Sequence, residues 1–176
     1  HNCVRSRNAR LAAIRAFAEV VRRRPAARLE VYGRGPDEKP LQALINSLGL
    51  AESVRLAGYT NDPAAVYRRA SVSLLTSRYE GFGLVVLEAM GRGCPVVSFD
   101  LNYGPGDMIE NGGTGYLVPP GDEHALAVRT VEILNDPGLR DRFGAASLTA
   151  VERYSPEAYL ARWSELFNRI AAKSWS

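Results

Sequence analysis

An α/β fold built on a mostly parallel, Rossmann-like sheet follows from three observations. Strand-like and helix-like segments alternate at short spacing through the first 120 residues, the pattern of βαβ units. The strands are short apolar runs, as in a sheet covered on both faces. Glycine-rich loops leave several strand ends, where open sheets of this kind place their ligands.

The elements can be read in order. Leu11, Ile14, Phe17, Ala18 and Val21 recur at helical spacing and predict a helix over 9–24, stopped by Pro25. Leu29-Glu30-Val31-Tyr32 reads as a strand closed by Gly33-Arg34-Gly35-Pro36. Leu41, Leu44, Ile45 and Leu48 share the face of a second helix ending near Gly49. Val54-Arg55-Leu56 is a strand that runs into Gly58-Tyr59, and 63–70 is a short helix. Strands are expected at 72–75, 95–99 and 115–118, with a helix at 83–91 and one or two turns at 106–110. Helices at 122–135, 137–152 and 155–172 complete a single domain over 1–176. The chain opens with a helix where such a sheet opens with a strand. A first strand missing or altered within residues 1–7 is therefore expected, and the chain reads as an internal or C-terminal piece of a longer protein.

Composition excludes several classes. Apolar residues at 46% and charged residues at 23% are ordinary for a folded domain and argue against disorder throughout. A net charge of +3 is too small to argue for nucleic acid, and the run Arg22-Arg23-Arg24 reads as a solvated C-terminal helix turn. Cys3, Cys94, His1 and His124 stand far apart and make no zinc spacing, so no metal is expected. No apolar run approaches the roughly 20 residues of a membrane-spanning helix.

The loop after the strand at 72–75 carries the most chemistry. Glu80 is followed by Gly81, Phe82 and Gly83, and then a helix starts. Glycines let backbone N–H groups approach a ligand, and a helix start adds unpaired donors suited to a diphosphate. Glu80 suits neutral hydroxyls, such as those of a sugar. Glu88, eight positions on, suits the two hydroxyls of a ribose. Two readings of Glu88 stand here. It is either a solvated helix residue, or a carboxylate buried among Leu84, Val85, Val86, Leu87, Ala89 and Met90 that needs partners. The apolar neighbours favour the second.

These residues resemble the family-4 glycosyltransferases, enzymes of the GT-B fold with two Rossmann-like domains. The resemblance lies in Glu80-Gly-Phe-Gly-Leu-Val-Val-Leu-Glu88, then Ala89-Met90 and Gly93-Cys94-Pro95-Val96-Val97. It extends to Ala16-Phe17, Arg28 through Gly35, Gly58-Tyr59 and Asn111 through Val118, covering roughly 9–172. The loop Phe99 through Pro105 is most similar to the poly(glycerol-phosphate) glucosyltransferase branch, which modifies wall teichoic acid.

The resemblance implies a C-terminal domain of a bacterial, retaining enzyme that binds a nucleotide-sugar donor without metal or cofactor. UDP-glucose or UDP-N-acetylglucosamine is the implied donor. A glycan or polymer acceptor would be held by an N-terminal domain that this chain lacks. It implies a cytoplasmic protein, free or peripherally at the inner face of the membrane. Glu80 would contact the donor sugar, Glu88 the ribose, Gly58 and Tyr59 the base. The backbone of Phe82, Gly83 and Leu84 would hold the diphosphate or sugar, with Gly81 beside it in the donor site and Leu84 and Val85 near the ribose or diphosphate. An Arg and a Lys of the family offset the diphosphate charge. This chain offers Arg5, Arg7 and Arg10 and no lysine there, with Asn8 or Ala9 at the lysine's register. Arg5 and Arg10 are the candidates for that role, although Arg and Lys are not interchangeable. The fragment by itself is therefore expected to bind donor and to transfer little.

The last helix carries an apolar stripe of Tyr159, Trp163, Leu166, Phe167 and Ile170. Core packing is its default reading; packing on the absent N-terminal domain is the alternative implied by the resemblance. Three rival functions differ in what they require. An epimerase of the same fold would rely on histidine, and neither His lies in a cleft loop. A dinucleotide oxidoreductase would need a full glycine fingerprint after the first strand. A non-catalytic nucleotide-sugar-binding or protein-interaction domain remains the alternative for this piece.

Overall fold

The computed structural model describes residues 7–173. The chain runs α1 (Arg7–Arg23), β1 (Leu29–Tyr32), α2 (Glu38–Ser47), β2 (Val54–Gly58), α3 (Pro63–Arg69), β3 (Ser73–Leu75) and α4 (Leu84–Met90). It continues with β4 (Val96–Phe99), α5 (Pro105–Met108), β5 (Gly115–Val118), α6 (Glu123–Asn135), α7 (Pro137–Ala150), a 3-10 turn (Val151–Tyr154) and α8 (Pro156–Lys173). Every element expected from the sequence is present within a few residues of its expected bounds. The expected altered strand at 1–7 lies outside the described residues, apart from Arg7, which opens α1.

Local chemistry explains the helix starts. Asp62, Asp122 and Asp136 each accept a hydrogen bond from the backbone N–H three residues on, at 2.9, 2.8 and 2.8 Å. Pro63 and Pro137 follow two of these caps, where a missing N–H costs nothing.

All strand pairs are parallel, but they form two ladders rather than one continuous sheet: β1 with β2, and β3-β4-β5. Leu29 faces Val54 in the first, and Ser73 faces Val96 and Val96 faces Gly115 in the second. Between the ladders lies a cavity lined by Leu29 through Tyr32 on one side and Val72 through Leu74 on the other. That space separates the two edges.

Alternation along β4 divides the core. Val97 and Phe99 join Ile14, Phe17, Leu126 and Ile133 on one face. Val96 joins Leu75, Val86, Met90 and Met108 on the other. The helices α1 and α6 close the first face, with α4 and α5 on the second. Thr76 Oγ1 donates to the carbonyl of Ala9 at 2.7 Å, tying the first turn of α1 to the end of β3. The bond fixes Arg10 beside the strand ends.

The default reading of α8 is overturned. Tyr159, Trp163, Phe167 and Ile170 are all more than 40% exposed, so the stripe is a surface and not core. Along it Tyr159 meets Trp163 edge to face, and Trp163 lies tilted against Phe167. The helix packs chiefly against the turn before it, which leaves the stripe open.

Candidate functional site

The parallel strands bring their C-terminal ends to one edge, and the loops picked out in the sequence emerge there. Gly33-Arg34-Gly35 leaves β1, Gly58-Tyr59 ends β2, Arg78 through Gly83 follows β3, and Asp100 through Gly106 follows β4. The cavity between the ladders, of about 570 Å³, reaches this edge at Gly33, Tyr59 and Glu88. Arg10 of α1, Tyr59 of the loop after β2, and Val85 and Glu88 of α4 all line it. A second cavity of about 140 Å³ lies beside it, lined by Arg10, Gly33, Gly35 and Gly58.

Arg10 is the unusual member. It is 6% exposed, and its Nε is buried without a hydrogen-bond partner. A buried donor without a partner is costly, so its retention at a cavity wall marks a place for an acceptor. The guanidinium lies under Gly35, where an added Cβ would stand 3.5 Å from Nη2. Arg5, the other candidate cation, lies outside the described residues.

Glu88 departs from the expectation of burial. It is exposed, on the face of α4 that looks into the cavity, while Val86, Ala89 and Met90 fill the core behind it. The apolar run around it is divided between core and surface, and Leu84 is 63% exposed. The helix is therefore amphipathic, and Glu88 needs no internal partner.

Glu80, Gly81, Phe82 and Gly83 form a separate lip that does not line the cavity. Glu80 is half-buried, Gly81 is exposed, and Phe82 is half-exposed. Gly83 sits at φ +85°, in the left-handed region, and starts α4. The loop after β4 braces this lip. Gly104 has φ +90°, and a Cβ there would come within 2.9 Å of the Phe82 carbonyl oxygen.

Sequence reasoning missed an acidic–basic cluster on the cavity wall. Tyr32 Oη donates to Glu30 Oε2 at 2.6 Å, Arg55 and Arg69 pair with the same carboxylate, and Arg69 reaches the Tyr32 hydroxyl at 2.5 Å. The hydrogen bond from Tyr32, together with both guanidinium groups, holds the Glu30 carboxyl down at about 2, against the opposing effect of burial. Its folded pKa lies below its ordinary value. The cluster therefore stabilises the fold at neutral pH, and loses that contribution as pH falls from the ordinary carboxylate range toward about 2. Urea denaturation of the unaltered chain and Glu30→Gln should differ by about 1 kcal/mol near neutrality, a figure discounted for solvent screening. The two should converge at about pH 2. Nothing local could have signalled this cluster, because Arg69 comes from α3 and Arg55 from β2.

Arg34 lies 5.9 Å from the Tyr59 ring centroid, so the loops after β1 and β2 meet at the rim. Among the described residues, no three His, Cys, Asp or Glu side chains converge as a metal site. The Cys94 thiol is buried, which pushes it up to about 12 and leaves it unreactive. No helix among the described residues is long and apolar enough to cross a membrane.

Comparison with known proteins agrees with this fold. The chain is 31% identical over 158 residues to a poly(glycerol-phosphate) alpha-glucosyltransferase of Bacillus subtilis, covering 90% of this chain and 24% of that protein. It is 35% identical over 150 residues to a poly(ribitol-phosphate) alpha-N-acetylglucosaminyltransferase of Staphylococcus aureus, covering 85% and 30%. The chain thus spans about a quarter to a third of the length of these relatives. Among solved structures it superposes on TarM with a TM-score of 0.86 at 32% identity, covering 96% of this chain and 34% of that one. It also superposes on the pneumococcal O-GlcNAc transferase GtfA in complex with UDP and GlcNAc, with a TM-score of 0.79 at 26% identity, covering 91% and 33%. The fold is thus that of the C-terminal domain of GT-B enzymes, as the strand–helix alternation and the Glu80–Glu88 stretch led us to expect. The family model described as glycosyl transferases group 1 matches residues 11–149, most of the chain, and the chain belongs to that family.

Proposed function

We propose that this chain is the donor-binding part of a retaining glycosyltransferase that takes UDP-glucose or UDP-N-acetylglucosamine. The observation that carries the reading is the convergence of Arg10, Tyr59, Val85 and Glu88 on one cavity, with the Glu80–Gly83 lip beside it. Glu88 takes the ribose hydroxyls from the exposed face of α4, with Val85 against the ribose. Gly58 and Tyr59 flank the base at the end of β2. The backbone of Gly81, Phe82, Gly83 and Leu84 takes the diphosphate, and Glu80 accepts hydrogen bonds from the sugar. The Arg10 guanidinium, with its unpartnered Nε, answers the diphosphate charge as the bond to the sugar breaks. The uridine base is supported by the UDP bound in the GtfA structure.

Transfer itself belongs to the whole protein. The two relatives above are named for poly(glycerol-phosphate) and poly(ribitol-phosphate), and we place the acceptor in the same broad class: a glycan or polymer held by a further N-terminal domain. The donor is at hand in the cytoplasm, and we place the protein there, free or at the inner face of the membrane. Asn8 is exposed at the start of α1, where the resemblance calls for a lysine. This favours a second reading for the chain by itself: it binds donor without transferring it.

The division of labour between the two carboxylates tests the proposal. Glu80→Ala should weaken binding of UDP-glucose by about tenfold, the scale of a lost hydrogen bond to a charged acceptor, and leave UDP binding within about twofold. Calorimetric titration with both ligands reads the difference. Equal losses for the two ligands would remove Glu80 from the sugar.

A further inference from the structure

The lip that carries Glu80 is held from behind by residues outside the cavity. The 3-10 turn Val151–Tyr154 supplies two of them. Tyr154 Oη donates to the carbonyl oxygen of Asp107 at 2.7 Å, and Arg153 Nη2 donates to the same oxygen at 2.5 Å. That carbonyl lies in the last turn of α5, where helix carbonyls lack partners of their own, so two donors satisfy both of its lone pairs. The Asp107 carboxylate in turn accepts from the backbone N–H of Gly104 at 3.2 Å. Gly104 is pressed against the Phe82 carbonyl, at a distance only glycine tolerates. The Phe82 ring meets the Tyr154 ring edge to face, with centroids 6.1 Å apart and planes at 78°.

Tyr154 therefore touches the lip twice. Its hydroxyl acts through Asp107 and Gly104, and its ring acts on Phe82 directly. Arg153 is held in place by two further contacts. Its guanidinium lies 4.9 Å from the Tyr154 ring centroid, and its carbonyl accepts from Arg162 Nη2 of α8 at 2.6 Å. A continuous chain of contacts thus runs from the exposed helix α8, through Arg153 and Tyr154, to the Gly104 turn and the lip.

We propose that Arg153 and Tyr154 form a clasp that positions the Glu80–Gly83 lip for the donor sugar, a role that rests on the donor-site reading above. Neither residue lines the cavity, so both are positioning residues. The clasp fixes where Glu80 and the Phe82–Gly83 backbone stand, and it acts on the sugar and diphosphate end of the donor rather than on the ribose at Glu88. A role confined to anchoring α8 would show in global stability alone. A clasp shows in the two loops.

The test compares the unaltered chain with Tyr154→Phe, which keeps the ring on Phe82, and with Tyr154→Phe combined with Arg153→Ala. Hydrogen exchange is followed by mass spectrometry in peptides covering 79–84 and 100–107, with peptides from α1 and β4 as the reference. The double variant should exchange about tenfold faster in both loops, with the reference peptides unchanged, because one shared carbonyl loses both donors. UDP-glucose affinity should fall about tenfold, through both Glu80 and the diphosphate-holding backbone, and UDP affinity by only about threefold, through the backbone alone. The single variant should lie between. Unchanged exchange in both loops overturns the clasp. So does equal acceleration in loops and reference, which marks a structural role only. Failure of the unaltered chain to bind any uridine nucleotide would sink the donor reading instead, and the exchange pattern would still decide whether the clasp holds the lip.

Discussion

Glu88→Ala is expected to weaken binding of UDP and of UDP-sugars alike, by about 10- to 100-fold, the scale of hydrogen bonds to a charged group. The reasoning starts from exposure. Glu88 points into the cavity from a helix whose other face, Val86, Ala89 and Met90, is packed in the core. The side chain is therefore held by its backbone and owes nothing to internal partners, so its removal should leave folding intact. Thermal unfolding should shift by no more than about 2 °C, as for surface substitutions. A ribose common to both ligands makes the loss common to both. This separates Glu88 from Glu80, whose loss should register only with the sugar present. Calorimetric titration of the variant with UDP and UDP-glucose checks the prediction. Undiminished affinity would move the ribose away from α4.

The second large effect is expected at Gly104→Ala. Its φ of +90° is a conformation that residues with a Cβ rarely adopt. The added atom would also stand 2.9 Å from the Phe82 carbonyl oxygen and 3.2 Å from its carbon. Both obstacles are backbone and cannot rotate aside, so the lip or the turn must move. Strain and overpacking together should cost about 3 kcal/mol, or about 6–12 °C in the unfolding temperature. Displacement of the lip should weaken UDP through the diphosphate and remove most of the affinity that UDP-glucose has beyond UDP. Gly112 provides the control. It has φ +80° and open space within 4 Å of where a Cβ would stand, so Gly112→Ala carries the strain without the collision. It should cost about 1 kcal/mol and leave donor binding alone. Differential scanning calorimetry of the two variants side by side isolates the contact with Phe82.

How much of this was legible in the sequence depends on whether the cause was local. Periodicity and punctuation set the elements: Pro25 ends α1, Asp62-Pro63 and Asp136-Pro137 start α3 and α7, and the strand at 115–118 stands where it was expected. The spacing of Glu80 and Glu88 was legible too, as was the rule that loops at strand ends gather on one edge. What failed was burial. The apolar residues beside Glu88 suggested a carboxylate inside the protein, yet a seven-residue helix shows one face to the core and one to the cavity. The stripe on α8 carries an amphipathic pattern that fits core or interface equally, and only the packing of the chain decides that it is exposed. The Arg153–Tyr154 clasp and the Glu30–Arg69 pair join residues 46 and 39 positions apart, a distance at which no local signal survives. The separation of the strands into two ladders was likewise hidden, because it is a property of which edges meet.

The most direct test of donor binding is calorimetric titration of the unaltered chain with UDP, GDP, UDP-glucose and UDP-N-acetylglucosamine. Saturable binding of the uridine compounds, with UDP-sugars tighter than UDP, is the result expected from Glu88 and the Glu80 lip, and weaker binding of GDP is expected from the uridine reading of the base at Gly58 and Tyr59. Absence of binding by every compound at millimolar concentration would contradict the assignment of this cavity and its lip to a nucleotide-sugar donor.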